Sequence, residues 1–314
     1  MKRNPSPKQE RILLPIDGSE RCLETVRYVA RYEPFHAMKV VLFNVFSDVP
    51  DCYWDLEREP KSVKTVRHVR AWVGQKKKEM ETYMETAREI LLRGGGEGRA
   101  VSIRIHSRKK GVARDILAEA HKGYTAVVVR RRGATGLRNI VMGSVAVKLM
   151  EKMSFVPLII VGRKAMTQRV LIGVDGSDGA NRAVDFTAGI LHGHGFSAHL
   201  INVMRSSRSA VPPGEKQAGE PVCPEEAEEE MLSVLGDARK RMAAAGFSPE
   251  KVTTKVITGA ASRAAAIAEE ADAEGCETIV VGRRGLSGVK SFFIGRVSNK
   301  VVHMARKNTV WVVT

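Results

Sequence analysis

Apolar residues along this chain gather into short continuous runs rich in β-branched side chains, and the runs come back in the same order. RILLPIDGS at 11–19 is matched by RVLIGVDGS at 169–177, an offset of 158. VVLFNVF at 40–46 pairs with AHLINVM at 198–204, at the same offset. VVVRRRGATGLRNIVMGSV at 127–145 pairs with IVVGRRGLSGVKSFFIGRV at 279–297, and VPLIIV at 156–161 with TVWVVT at 309–314. Continuous apolar runs of this length predict strands buried on both faces.

Between the runs the pattern changes to helical spacing, as in residues 20–33, where Leu23, Val26, Val29 and Ala30 share a face. Further helices are predicted over 76–92, 112–121 and 143–152, with counterparts over 178–192, 225–245, 261–273 and 295–306. Strands alternating with helices imply parallel βαβ units. Two stretches break the symmetry: 47–75, with Pro50, Trp54, Pro60 and Trp72, and the polar, Pro-rich 205–230. The second reads as a loop running into a helix whose acidic first turn suits the helix dipole.

The 314 residues fit two domains better than one. Residues 1–10 read as a flexible tail, 11–164 as the first domain and 165–314 as the second, joined near Arg163–Thr167. Each is expected to be an α/β, doubly wound, five-stranded and mainly parallel sheet flanked by helices, Rossmann-like in class. VPLIIV and TVWVVT are expected to meet as edge strands, making an internal pseudo-dimer that leaves a homodimer open.

Charge changes the picture for one half. The net +16 is concentrated in residues 1–164, with 33 Lys and Arg against 18 Asp and Glu; residues 165–314 carry 18 against 17. Arg130–Arg132, Arg108-Lys109-Lys110 and Lys76–Lys78 are able to draw anions, but no aromatics interleave with them and no nucleic-acid motif appears. Cys22, Cys52, Cys223 and Cys276 form no C-x-x-C pair and suit a reducing cytoplasm. No long apolar window suggests a membrane span or a signal segment. His192, His194 and His199 lack acidic or thiol partners at ligand spacing, and no nucleophile–base pair stands out. Met142, Met150 and Met153 read as core packing.

Ligands of open parallel sheets sit beyond the carboxyl ends of the strands. Asp17 and Asp175 end the first strand of each half, where a carboxylate can accept ribose hydroxyls or cap the next helix. Gly282-Arg-Arg-Gly285, nine residues, then Gly295 places glycines where a helix begins and phosphates can be held, or where the chain merely turns. The pattern is neither a Walker A loop nor a first-strand GxGxxG.

These residues resemble the universal stress protein family, an adenine nucleotide alpha hydrolase-like fold with Gly-x2-Gly-x9-Gly-Ser/Thr after the fourth strand. The resemblance covers nearly the whole chain, twice. It implies a stress-response protein binding ATP, ADP or AMP, with Mg2+ as a candidate companion, as a switch for conformation or a protein partner. By position it assigns Asp17, Val45, Gly133, Gly143 and Ser144 in the first half. In the second it assigns Asp175, Val203, Gly282, Gly285 and Gly295, and Asn44 and Asn202 stand where the family usually has His. The halves depart from the motif differently: Arg130 replaces the leading glycine of the first, and Arg296 the hydroxyl residue of the second. Arg296 brings a phosphate-pairing or pocket-filling cation, and Ser298 a nearby hydroxyl. The second half is thus the better candidate for a nucleotide site, and hydrolysis is expected to be slow at most. The alternative is a tandem scaffold with arginine-filled clefts that works through protein partners.

Overall fold

The computed structural model describes residues 10–47, 63–95, 98–131, 142–205, 225–285 and 294–314. They form two compact units, Met1–Leu149 and Met150–Thr314.

The first unit runs β1 (Arg11–Pro15), α1 (Glu20–Arg31), β2 (Lys39–Phe46), α2 (Val63–Gly94), β3 (Val101–Ser107), α3 (Val112–Ala120) and β4 (Ala126–Arg130), then enters α4 (Ser144–Lys152). Its strands lie in the order β3-β2-β1-β4, and all three neighbouring pairs are parallel. Ile12, Leu13 and Leu14 are all fully buried. That is the outcome expected of a strand covered on both faces, each such side chain contributing about 1.5–3 kcal/mol by leaving water.

Helix α2 begins at Val63, so part of the stretch expected to interrupt the repeat is helical, and the helix is longer than the predicted 76–92. The segment 63–75 carries many Lys and Arg, residues of high helix propensity. Val63, Val66, Val69 and Val73 do recur at helical spacing there, but the start escaped because 47–75, with Pro50, Pro60 and many charges, reads as one interruption of the repeat.

The second unit contains β5 (Leu158–Val161), β6 (Arg169–Gly173), α5 (Asp178–Leu191), β7 (Ser197–Arg205), α6 (Glu225–Ala244), β8 (Val252–Ala260), α7 (Arg263–Ala273), β9 (Thr278–Gly282), α8 (Arg296–Met304) and β10 (Thr309–Val313). Its strand order is β5-β10-β9-β6-β7-β8. All neighbours are parallel except β5 and β10, which run antiparallel with Ile159 opposite Trp311. The last strand of the first repeat is therefore built into the second compact unit. Trp311 is fully buried there, edge-on to Phe186 at 5.8 Å between ring centroids.

The chain between the repeats is held by that same unit. Gly162 donates its N–H to Thr309 Oγ1 at 3.1 Å, and a Cβ on it would come within 2.3 Å of the Asn308 backbone. Glu277, 1% exposed, accepts the backbone N–H groups of Thr167 (3.2 Å) and Arg169 (3.1 Å). Met142, Met150 and Met153 are buried as expected of core residues.

Candidate functional site

The Asp-Gly-Ser turn after each first strand needs a left-handed residue, and Gly18 and Gly176 supply it with φ of +78° and +77°. In the second unit Asp175 Oδ1 accepts from Ser177 N (3.1 Å) and Ser177 Oγ (2.6 Å). Ser177 Oγ in turn accepts the Ala180 N–H at 3.2 Å, so the serine caps α5 and the aspartate orients the serine. Asp17 holds Ser19 in the same way (N 3.0 Å, Oγ 2.7 Å), but Ser19 makes no side-chain cap to α1.

A cavity of about 990 Å³ opens at the carboxyl ends of the second unit's strands, within the range of small-ligand sites. All the second-half candidates line it: Asp175, Val203, Gly282, Gly285, Gly295, Arg296 and Ser298. Gly282 is there because backbone passes close, and Gly285 because the Asp175 carboxylate does. A Cβ on Gly282 would lie 2.5 Å from the Gly179 carbonyl group, and one on Gly285 would lie 2.4 Å from Asp175 Oδ2. Gly295 spends its N–H on Arg283 O at 2.8 Å, and Ser298 Oγ donates to Gly282 O at 2.7 Å. These bonds tie the end of β9 to the start of α8. The first N–H groups of that helix, Arg296 to Ser298, have no intrahelical acceptor and face the ligand end of the fold.

The lining is cationic. Arg205, Arg263, Arg284, Arg296 and Lys300 stand against Asp175 and Glu230. Only Arg296 of these five cations was legible from the motif. Arg263 and Lys300 carried a usable signal, the first position of a helix following a strand end and the next turn of α8. Arg205 and Arg284 had none beyond their place at strand ends. Arg263 is fixed by Nε donating to Val203 O at 2.9 Å.

Asn44 and Asn202 serve one purpose in both halves. Each donates its Nδ2 at 2.7 Å to the carbonyl of the residue after the first strand, Ile16 and Val174 respectively. Each thereby ties the ends of strands one and two together.

In the first unit Asp17 is exposed, Val45 is half-buried on β2 and Ser144 is exposed at the start of α4. Gly143 donates to Arg131 O at 2.8 Å, repeating the Gly295 contact. Gly133 lies outside the described residues. Arg130 turns onto α1, where its Nη1 donates to Arg21 O and its Nη2 pairs with Glu24 Oε2 at 2.6 Å. Met80 covers the turn, its Cε 2.7 Å from where a Cβ on Gly18 would be. The nearby Cys22 thiol is pushed up to about 12 by burial and the Asp17 carboxylate, which makes it a poor nucleophile at neutral pH.

One grouping was missed in sequence. His199, Glu270 and Glu274 bring candidate metal-ligating atoms within 4.8 Å of one another. His192, by contrast, bonds carbonyls of its own helix. The acids were invisible because β7 and α7 are about seventy residues apart in sequence. Lys255 Nζ bonds both oxygens of Glu270 (2.7 and 2.9 Å), and His199 adds a third contact at 3.1 Å. Burial works to raise the Glu270 pKa, and the bonds from Lys255 and His199 outweigh it, holding the carboxyl below its usual range. Glu119 has the same environment in the first unit: Arg104, Lys122 and Tyr124 at 2.7 Å each, and a lowered pKa despite burial. The shared pattern is a structural ion pair between a strand and the helix that follows it.

The fold is a doubly wound α/β domain, present twice, with a strand-end cleft described in the second copy. The model of the universal stress protein family matches residues 9–162 and 166–314, and the chain belongs to that family. It is 28% identical over 148 residues to universal stress protein YxiE of Bacillus subtilis (strain 168), covering 45% of this chain and 95% of that one. A universal stress protein from Archaeoglobus fulgidus DSM 4304 superposes with a TM-score of 0.63 at 18% identity, over 97% of this chain and 98% of the other. A putative universal stress protein from Pseudomonas aeruginosa UCBPP-PA14 gives 0.57 at 17% identity, over 97% and 93%. At such identities the two structures speak for the fold alone. Among the described residues no helix is long and apolar enough to cross a membrane.

Proposed function

We propose that this chain is a cytoplasmic stress-response protein that binds ATP or a related adenine nucleotide in its second half. The observation that carries this reading is the cavity beyond β6, β7 and β9, where Asp175, the glycine loop and the first turn of α8 meet among cations. Asp175 accepts the sugar hydroxyls, the wall beside Val203 takes the base, and the N–H groups of α8 with Arg296 take the phosphates. The described lining offers no activated nucleophile, so the bound nucleotide shifts conformation or partner affinity rather than turning over quickly.

A second reading has its own observation. Arg130, placed on Arg21 O and Glu24, plugs the corresponding corner of the first half. That half then works as scaffold for a protein partner or a second copy. Both readings meet in one experiment, calorimetric titration of nucleotide-stripped protein with ATP. Binding lost in Asp175→Ala and kept in Asp17→Ala supports the second-half site. Loss only in Asp17→Ala moves the site to the first half. No binding of ATP, ADP or AMP at millimolar concentration removes the nucleotide reading and leaves the scaffold.

A further inference from the structure

We infer that the second-half cavity recognises the polyphosphate of its ligand through Arg263, Arg296 and Lys300 in place of a divalent metal. This rests on the nucleotide reading and goes further, to how phosphate charge is neutralised and which nucleotides are preferred.

Arg263 and Arg296 are the first residues of α7 and α8, and both line the cavity. A helix N-terminus already carries positive partial charge, so a cation there is disfavoured unless an anion lies beside it. Neither helix has an acidic residue in its first turn to offset the arginine. Lys300 stands one turn after Arg296 on the same helix and lines the same cavity. The first repeat shows that the fold does not require this arrangement. There the matching helices begin with Val112 and Ser144, and α3 carries Asp115 in its first turn. Lys148 and Arg114 stand on the first-half helices, but the second half alone opens both helices with an arginine, an arrangement that a polyanion between them stabilises.

The same lining suits a divalent cation poorly. Mg2+ seeks carboxylate oxygens with room for several waters. Among the described residues, Asp175 and Glu230 are the carboxylates that line the cavity. Asp175 Oδ1 already takes two hydrogen bonds from Ser177, and its Oδ2 lies against Gly285. Five cationic side chains around the space oppose a further dication. The chain's own guanidinium and ammonium groups therefore take over the neutralisation of the terminal phosphate oxygens. Affinity should rise from mono- to di- to triphosphate.

The test is calorimetric titration of the full chain, stripped of nucleotide, with ATP, ADP and AMP, once in excess EDTA and once in excess MgCl2. ATP should bind in EDTA at least as tightly as with Mg2+, and more tightly than AMP. Arg296→Ser and Lys300→Ala should each weaken ATP by about tenfold while changing AMP less than about threefold, the scale of one charge-assisted contact. The salt dependence of ATP binding to the unmodified chain, steeper than that of AMP, gives a readout that does not depend on any variant folding. ATP binding that appears only with Mg2+ overturns this inference and leaves the nucleotide reading standing. Should no adenine nucleotide bind, inorganic tripolyphosphate in EDTA separates the two ideas. Its binding, reduced by Arg263→Ala and Arg296→Ser, keeps the cation cradle without the nucleoside; its failure to bind overturns both.

Discussion

The two repeats close the same corner of the fold by different means. In the second, α5 starts in direct backbone contact with the end of β9. A Cβ on Gly179 would sit 2.1 Å from Arg284 O, and one on Gly282 would sit 2.5 Å from the Gly179 carbonyl. In the first, Arg21 and Arg130 occupy the corresponding positions, and the Arg130 guanidinium bonds the Arg21 carbonyl and Glu24. One side leaves a lined cavity beside the helix start, and the other fills the equivalent corner with a side chain. Two glycines matched to each other let backbone meet backbone in the second half, whereas at the matching positions of the first the Arg130 guanidinium bonds the backbone carbonyl of Arg21. A repeat can thus keep its skeleton and exchange its chemistry through one Cβ at each of two positions.

The largest way to break this contrast is to give the second repeat the first repeat's residue. Gly282→Arg must push α5 away from β9, because the obstacle is backbone rather than a flexible side chain. We expect a loss of about 3 kcal/mol in denaturant unfolding and no nucleotide protection. The wild type should by then gain about 2.7 kcal/mol at a ligand concentration of 100 Kd. An unchanged unfolding midpoint in Gly282→Arg would show that the Gly179 contact does not hold this corner.

The joints of the repeats offer a second contrast. Glu277 accepts the Arg169 N–H with a buried carboxylate, whereas Thr125 takes the matching Arg11 N–H with a hydroxyl at 3.4 Å. Glu277→Thr should cost about 2 kcal/mol, since it removes charge-assisted bonds to Thr167 and Arg169. Thr125→Ala should cost less than half of that in the same measurement.

A smaller effect should be common to both repeats. Glu119 and Glu270 have folded pKa values below the ordinary carboxylate value of 4.5. The stabilisation they give is present above that value and is lost as pH falls through their lowered folded values. Melting temperature should fall on acidification below about pH 4.5, and less so in the double variant Glu119→Gln/Glu270→Gln. An identical acid limb in that variant would assign the acid sensitivity elsewhere.

The smallest change sharpens the comparison from the other side. Arg130→Gly removes a half-exposed ion pair and should shift stability by no more than about 1 kcal/mol. Arg21 remains at the helix start, so this substitution alone should not create nucleotide protection in an Asp175→Ala background. Protection appearing there would mean that Arg130 by itself closes the first half.

Much of this is legible in the sequence. The β1 and β6 runs predicted strands covered on both faces, and Ile12 to Leu14 and Val170 to Ile172 are fully buried. The motif residues Asp175, Gly282, Gly285 and Gly295 line one cavity, as strand ends and helix starts converge in this class of sheet. Arg205 and Arg284 could not be singled out, since charge at a strand end looks the same in sequence whether it faces solvent or a ligand, while Arg263 and Lys300 carried only the signal of their place in the first turns of α7 and α8. The approach of Glu270 and Glu274 to His199 was likewise hidden, because it depends on the packing of α7 over β7 and β8.

The sequence by itself determined the duplication, the alternation of strand and helix, and the glycine-bearing turns, all of which follow from local periodicity and backbone freedom. The sequence already brought VPLIIV and TVWVVT together, and the β5–β10 pairing is that contact; tertiary structure alone decided that it is antiparallel and that it draws β5 into the second compact unit. It also decided that Arg130 lies on Arg21 and Glu24, and that five cations share one cavity. Those outcomes rest on distances between segments far apart in the chain. A periodicity reports which face of an element is buried, but not which partner buries it.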